Sequence, residues 1–200
     1  MDFCSAFGAR NTYEVGIEHY PESRTRLGAT AYSYTIGHLI KQVTDPGSGL
    51  LEYRNVGSIQ AQGLELEAER QWRNTARLRL SLDWQQTRDS QHQQLTNSPH
   101  VVLRALASRP LPWFGLRLGS EGQWLSNRKT FAGTHIGANG VINLTLLQSP
   151  PKNCRELSAS VWNVPDRSCT DPAAEDVSAP TRDGFVTSSR TLRIKDVRAF

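Results

Sequence analysis

The residues best able to hold a metal or attack a substrate are five histidines and three cysteines. His19, His38, His92, His100 and His135 are scattered along the chain, and none lies at ligand spacing from a cysteine or carboxylate partner. No CxxC or HxxxH spacing gathers them into a zinc site. Cys4, Cys154 and Cys169 are an odd, sparse set rather than a disulfide framework. Cys154 and Cys169 flank a segment read below as one strand, about 30 Å long, whereas a disulfide needs Cα atoms within about 7 Å. Three unpaired thiols are therefore expected. GSEGQW (119–124) contains a serine but lacks the GxSxG elbow of a hydrolase. GTHIGANG (133–140) is glycine-rich, yet no helix follows to bind phosphate, so it reads as a loop. PAAE (172–175) reads as a short helical turn at most. No catalytic, cofactor-binding or metal-binding residue is nominated. Neither an enzyme nor a cofactor is expected.

The elements that would position any site are strands. Apolar and polar residues alternate with period two, the mark of a strand with unlike faces. In GLELEAE (63–69), Leu64, Leu66 and Ala68 share one face, and Glu65, Glu67 and Glu69 share the other. In ARLRLSLDWQ (76–85), Ala76, Leu78, Leu80, Leu82 and Trp84 oppose Arg77, Arg79, Ser81, Asp83 and Gln85. Joined by the polar turn RQWRNT (70–75), these runs predict a hairpin with Glu69 opposite Arg77 and Glu67 opposite Arg79. A slip of one residue would put charges on the apolar face, so the choice of faces is strongly specified. Similar patterns predict strands at 12–20, 27–40, 101–108, 116–125, 141–147, 156–164 and 190–200. With 58–69 and 76–87, nine strands are expected.

Their connections alternate in length. The short ones are 21–26, 70–75, 110–114 and 148–154. The long, polar ones are 41–57, 88–100, 126–140 and 165–189. This segregation is the plan of an outer-membrane barrel. Several strands reach nine residues or more, near the length that crosses a bilayer at a tilt. Tyr13, Trp84, Trp113 and Trp124 stand at expected strand ends, where interfacial aromatics gather. A soluble all-β binding module remains the alternative, with the Leu/Trp face packed on a second sheet. A small complete barrel with a structural or adhesive role fits less well, because the strand count is odd.

The 200 residues carry 38% hydrophobic residues and a net charge of +4. The charge is mild and no Lys/Arg run concentrates it, so no nucleic-acid partner is expected. Mean hydropathy is −0.49. No stretch approaches the roughly 18 apolar residues of a transmembrane helix. MDFCSAFGAR lacks the basic and apolar regions of a secretory signal. A low mean hydropathy does not exclude a membrane barrel, in which only every second strand residue faces lipid.

Specific segments carry a resemblance. TYEVGIEHY (12–20) leads to YSYTIGHLI (32–40). YRNVGSIQAQGLELEAE (53–69) and NSPHVVLR (97–104) follow. ELSASVWNVPDR (156–167) leads through TDPAAE (170–175) to RTLRIKDVRAF (190–200). In this order they resemble the C-terminal barrel segments of TonB-dependent outer-membrane receptors, 22-stranded barrels that import iron–siderophore complexes and cobalamin. The resemblance implies an all-β, antiparallel transmembrane barrel, present here in part, with residues 12–200 as its last strands and 1–11 unmatched. It implies a Gram-negative outer-membrane location, lipid around the barrel, an iron–siderophore ligand, and TonB coupling through a plug domain that lies outside these residues. Glu65, Glu67, Arg77, Arg79 and Asp83 would then face plug or water. Ligand contacts would fall in the four long connections, with no residues specified. Gly63 would mark a bulge or a close approach within its strand. The last strand departs from the family pattern, because Asp196 and Arg198 stand where apolar residues are usual.

Overall fold

The structure, a computed structural model, describes residues 9–45, 47, 49–55, 57–148, 155–172, 184–186 and 189–198. Its regular elements are all strands: β1 (Ala9–Glu22), β2 (Thr25–Gly37), β3 (Ile40–Thr44), β4 (Leu51–Asn55), β5 (Ile59–Gln71), β6 (Arg77–Asp89), β7 (Val101–Pro110), β8 (Leu116–Leu125), β9 (Arg128–Lys129), β10 (His135–Ile136), β11 (Asn139–Gln148), β12 (Arg155–Trp162), β13 (Thr170–Asp171), β14 (Phe185–Val186) and β15 (Thr191–Arg198). Nine of them form one sheet in the order β1-β2-β5-β6-β7-β8-β11-β12-β15. Every neighbouring pair is antiparallel. The other six strands form three two-stranded ribbons, β3-β4, β9-β10 and β13-β14, each inside a long connection. No helix among the described residues is long and apolar enough to cross a membrane.

The nine strands fall where alternation places them, with four differences. First, the run expected over 27–40 ends at Gly37. His38 takes a φ of 54°, and Ile40 pairs instead with Asn55 in the β3-β4 ribbon. Second, the β5-β6 pairing is displaced by two residues. Glu69 lies opposite Arg79, Glu67 opposite Ser81 and Gln71 opposite Arg77. This extends the ladder and closes a tighter turn, in which the Trp72 amide donates to the Ala76 carbonyl at 2.9 Å and Thr75 takes a φ of 62°. An even slip keeps both faces, so alternation could not choose between the two registers. Third, GTHIGANG is not simply a loop: His135–Ile136 pairs with Arg128–Lys129, and Asn139 opens β11. Fourth, β12 stops at Trp162 because Asn163 turns to a φ of 53°.

The sheet has one apolar and one polar face and no second layer. On the apolar face Leu64, Leu80, Leu103 and Trp124 are 38%, 44%, 41% and 39% exposed. Ala61, Val102, Cys169 and Pro172 are buried. A soluble sandwich would cover the leucine face. Among the described residues no second sheet covers it, although Pro165 and Arg167 of the connection after β12 lie along the trough it forms.

The apolar band also runs obliquely. Followed through the pairing, Tyr13 on β1 is level with Gln86 on β6. Leu192 on β15 is level with Leu78 on that same β6. These two residues mark the long-loop edge of the band on the first and last strands, eight positions apart on β6 (86 less 78). Eight strand-to-strand steps separate them in the sheet order. The edge thus drifts about one residue per strand. With a rise of about 3.3 Å and a spacing of about 4.8 Å, a level band requires strands tilted by about 35°. That is the tilt of a membrane barrel.

Candidate functional site

The polar face carries a ladder of charge. Arg26 on β2 reaches Glu18 on β1 at 2.9 Å and also bonds Glu67 on β5. Glu67 accepts a second bond from Arg79 on β6 at 3.1 Å. Glu67 and Arg79 thus meet, as expected, but diagonally rather than directly opposite. Farther along, Asp83 lies level with Glu65, and Arg104 from β7 bonds Asp83. At the short-turn end, Arg117 donates to the Thr75 hydroxyl at 2.9 Å and to the Thr75 carbonyl at 3.2 Å. All five residues assigned to the polar face, Glu65, Glu67, Arg77, Arg79 and Asp83, lie on it.

Gly63 sits inside this face and is buried. It makes a close approach rather than a bulge, since the pairing runs through it unbroken on both sides. An added Cβ would lie 2.6 Å from the Tyr32 ring and 2.6 Å from the Trp84 carbonyl. Tyr32 lies level with Gly63 and stacks on Tyr34 at 6.0 Å, and the Arg10 guanidinium covers the Tyr34 ring at 4.8 Å.

The long connections are tied to the sheet and to one another at its other end. Loop 90–100 is strapped to β6. Thr87 bonds the Ser98 hydroxyl at 2.6 Å, the Gln85 amide donates to the Pro99 carbonyl at 3.0 Å, and the His100 ring contacts the Gln85 carbonyl at 3.0 Å. Arg128 knots this loop to the two that follow. Its side chain is 6% exposed. It donates to Asn97 Oδ1 at 3.2 Å, the Thr170 carbonyl at 3.0 Å and Asp171 Oδ1 at 2.8 Å. Asn139 donates to the same Thr170 carbonyl at 3.3 Å. Nothing in the periodic pattern marks Arg128, which lies between two runs of alternation. The β3-β4 ribbon did leave a signal: DPGSG (45–49) is turn chemistry between two short runs.

No group of three or more His, Cys, Asp or Glu among the described residues could hold a metal. His38 and His92 lie at positive-φ turns, and His100 serves the loop 90–100 strap. Cys169 is buried. Cys4 and Cys154, with the thiol state expected of them, and most of PAAE lie outside the described residues. The arrangement is a charged, one-sided wall whose long connections are tied together at one end.

An antiparallel meander with an oblique apolar band outside, charge inside, short turns at one end and long loops at the other is a sector of a transmembrane β-barrel. Residues 10–164 match the family described as TonB dependent receptor-like, beta-barrel, and the chain belongs to that family. No curated protein matches the sequence. Among solved structures, the FrpB iron transporter from Neisseria meningitidis aligns with a TM-score of 0.75 at 14% identity, covering 96% of this chain and 31% of that one. The ferric-catecholate import receptor Fiu from E. coli K12 aligns at 0.73 and 14% identity, covering 96% and 28%. The copper transporter OprC aligns at 0.73 and 18%, covering 96% and 31%. The chain thus spans about a third of the length of the structures it matches.

Proposed function

We propose that this chain is the C-terminal part of an outer-membrane receptor that imports iron–siderophore complexes by TonB-coupled active transport. The boundary expected at residue 12 falls inside β1, because Ala9, Arg10 and Asn11 already pair with Gly37, Ile36 and Thr35, so barrel wall and outer loops take in the chain from residue 9 onward. The observation that carries the reading is the segregation of the sheet's two ends. Short connections join the strands at one end, and long connections tied together by Arg128 join them at the other. The iron transporters among the structural neighbours support the choice of cargo. The protein stands in the outer membrane of a Gram-negative bacterium, in contact with lipid. It meets the TonB complex through a plug domain that fills the complete barrel. It binds no nucleic acid and is not an enzyme.

Under iron limitation, cells carrying the complete receptor of which this chain is part should accumulate radioactive iron from a ferric siderophore, and uptake should stop when TonB or the proton gradient is removed. Uptake that persists without TonB would sink the proposal. The structural match to a copper transporter favours a second cargo class, another scarce nutrient such as copper or cobalamin. Competition among a ferric siderophore, cupric ion and cobalamin in the same assay separates these cargoes.

The 200-residue chain does not transport alone. β1 and β15 each have a partner on one side only, and hydrocarbon does not tolerate an open strand edge. Ligand-dependent flux into liposomes holding only this chain would overturn that statement.

A further inference from the structure

We infer that the outward face carries a seat for the headgroup of a phosphorylated glycolipid, built where β2, β5 and β6 run on past the apolar band. On β7, β8, β11 and β12 the strand ends within a residue or two of the band's long-loop edge. β2, β5 and β6 continue, and each changes chemistry at the same level. Ala31 gives way to Ser33 and Thr35, Leu64 to Gln62 and Gln60, and Trp84 to Gln86 and Arg88. The pairing brings these residues into two rows, Ser33–Gln62–Gln86 and Thr35–Gln60–Arg88. Gln62 donates to Gln86 at 3.2 Å, which fixes two of the amides side by side. The rows line a concavity of about 400 Å³, closed on one side by His92 from the following turn. No acidic side chain lines it.

The chemistry of the shelf selects its occupant. Neutral amides and hydroxyls in rows match the hydroxyls of a sugar, and the Arg88 guanidinium matches a phosphate. Directly below lie Ala31, Leu64 and Trp84, on the face that meets acyl chains. An apolar trough of about 830 Å³ runs on that same face past Leu66, Leu82 and Trp124. A soluble anion would use the shelf alone. A lipid uses the shelf and the apolar surface below it together, so the seat takes a lipid.

The inference rests on the outward face being the lipid face, and the test separates the two. The protein as the cell makes it is purified from membranes in non-ionic detergent. It is then titrated, by native mass spectrometry, with bis-phosphorylated lipid A, its dephosphorylated form, phosphatidylglycerol and inorganic phosphate. The expected result is one bound lipid A, held about tenfold more tightly than the dephosphorylated form or phosphatidylglycerol, the size of one charge-assisted hydrogen bond. Inorganic phosphate should not compete. Arg88→Gln should remove the tenfold preference. Gln62→Leu should weaken lipid A and dephosphorylated lipid A alike. Arg109→Gln, which removes an outward charge at the short-turn end, should change nothing. Equal binding of phosphatidylglycerol, competition by inorganic phosphate, or an unchanged preference in Arg88→Gln each overturns the inference. If the protein instead fractionates with buffer-soluble proteins, the membrane reading itself fails.

Discussion

Glu67 shows how single side chains hold the wall together. Its carboxylate lies between Arg26 and Arg79, joining three strands. The group is half-exposed on a wet face, so each pair is worth about 0.2–1 kcal/mol. Glu67→Gln should lower stability by about 1 kcal/mol in urea titrations at low salt. Most of that difference should vanish at high salt, because exposed pairs are screened. Gly63 obeys a harder rule. Gly63→Ala forces a methyl against both the Tyr32 ring and the Trp84 carbonyl. Overpacking of this kind costs about 1–3 kcal/mol. Adding Tyr32→Ala should restore only part of the loss, since the carbonyl belongs to the backbone and stays. Full recovery in that double variant, read from thermal melts, would show that the ring alone imposes the glycine.

At the level of elements, the last strand and the loop knot make opposite demands. Asp196 lies on the apolar face of β15, opposite Leu157 and next along that face from Ile194. Near an interface the cost of a charge on that face is about 0–1 kcal/mol, against which any interaction of the carboxylate is set. Asp196→Leu should therefore change urea stability in lipid vesicles by no more than about 1 kcal/mol. Arg128→Ala acts elsewhere. It removes bonds to Asn97, Thr170 and Asp171 at once, so limited proteolysis should open 90–100 and 163–172 while the nine-stranded sheet keeps its far-ultraviolet circular dichroism. Equal protection of those loops in variant and parent would show that the knot is not what orders them. The strands were legible in the sequence because a period of two is written into every second residue, as in Leu64, Leu66 and Ala68. The register of β5 on β6 was not, because a two-residue shift leaves both faces intact and only the Trp72–Ala76 turn decides it. The end of β2 was hidden for a related reason: Ile40 fits the apolar pattern, but it belongs to the β3-β4 ribbon. The Arg128 knot left no trace, since Arg128 and its partners, Asn97 in one loop and Thr170 and Asp171 in another, carry no periodicity.

For the whole molecule, the oblique band is the most informative measurement. A drift of about one residue per strand is what a large tilted barrel requires, and neither a flat sheet nor a sandwich has reason to show it. The family match and the sheet agree on this point from different directions, one from residue types and one from pairing. The polar shelf over β2, β5 and β6 is the local exception, where strands outrun the bilayer's hydrocarbon. The two margins of the sheet also differ in extent. β1 offers 14 residues of backbone and β15 eight described ones. Zipped to each other, unlike lengths would strand amides in oil. Two copies of β1, related by a two-fold axis, satisfy one another along their whole length. Overproduced without its missing strands, the chain is therefore a seed for symmetric pairing of like with like. Sedimentation in detergent should find dimers that proline substitutions at alternate β1 positions dissolve.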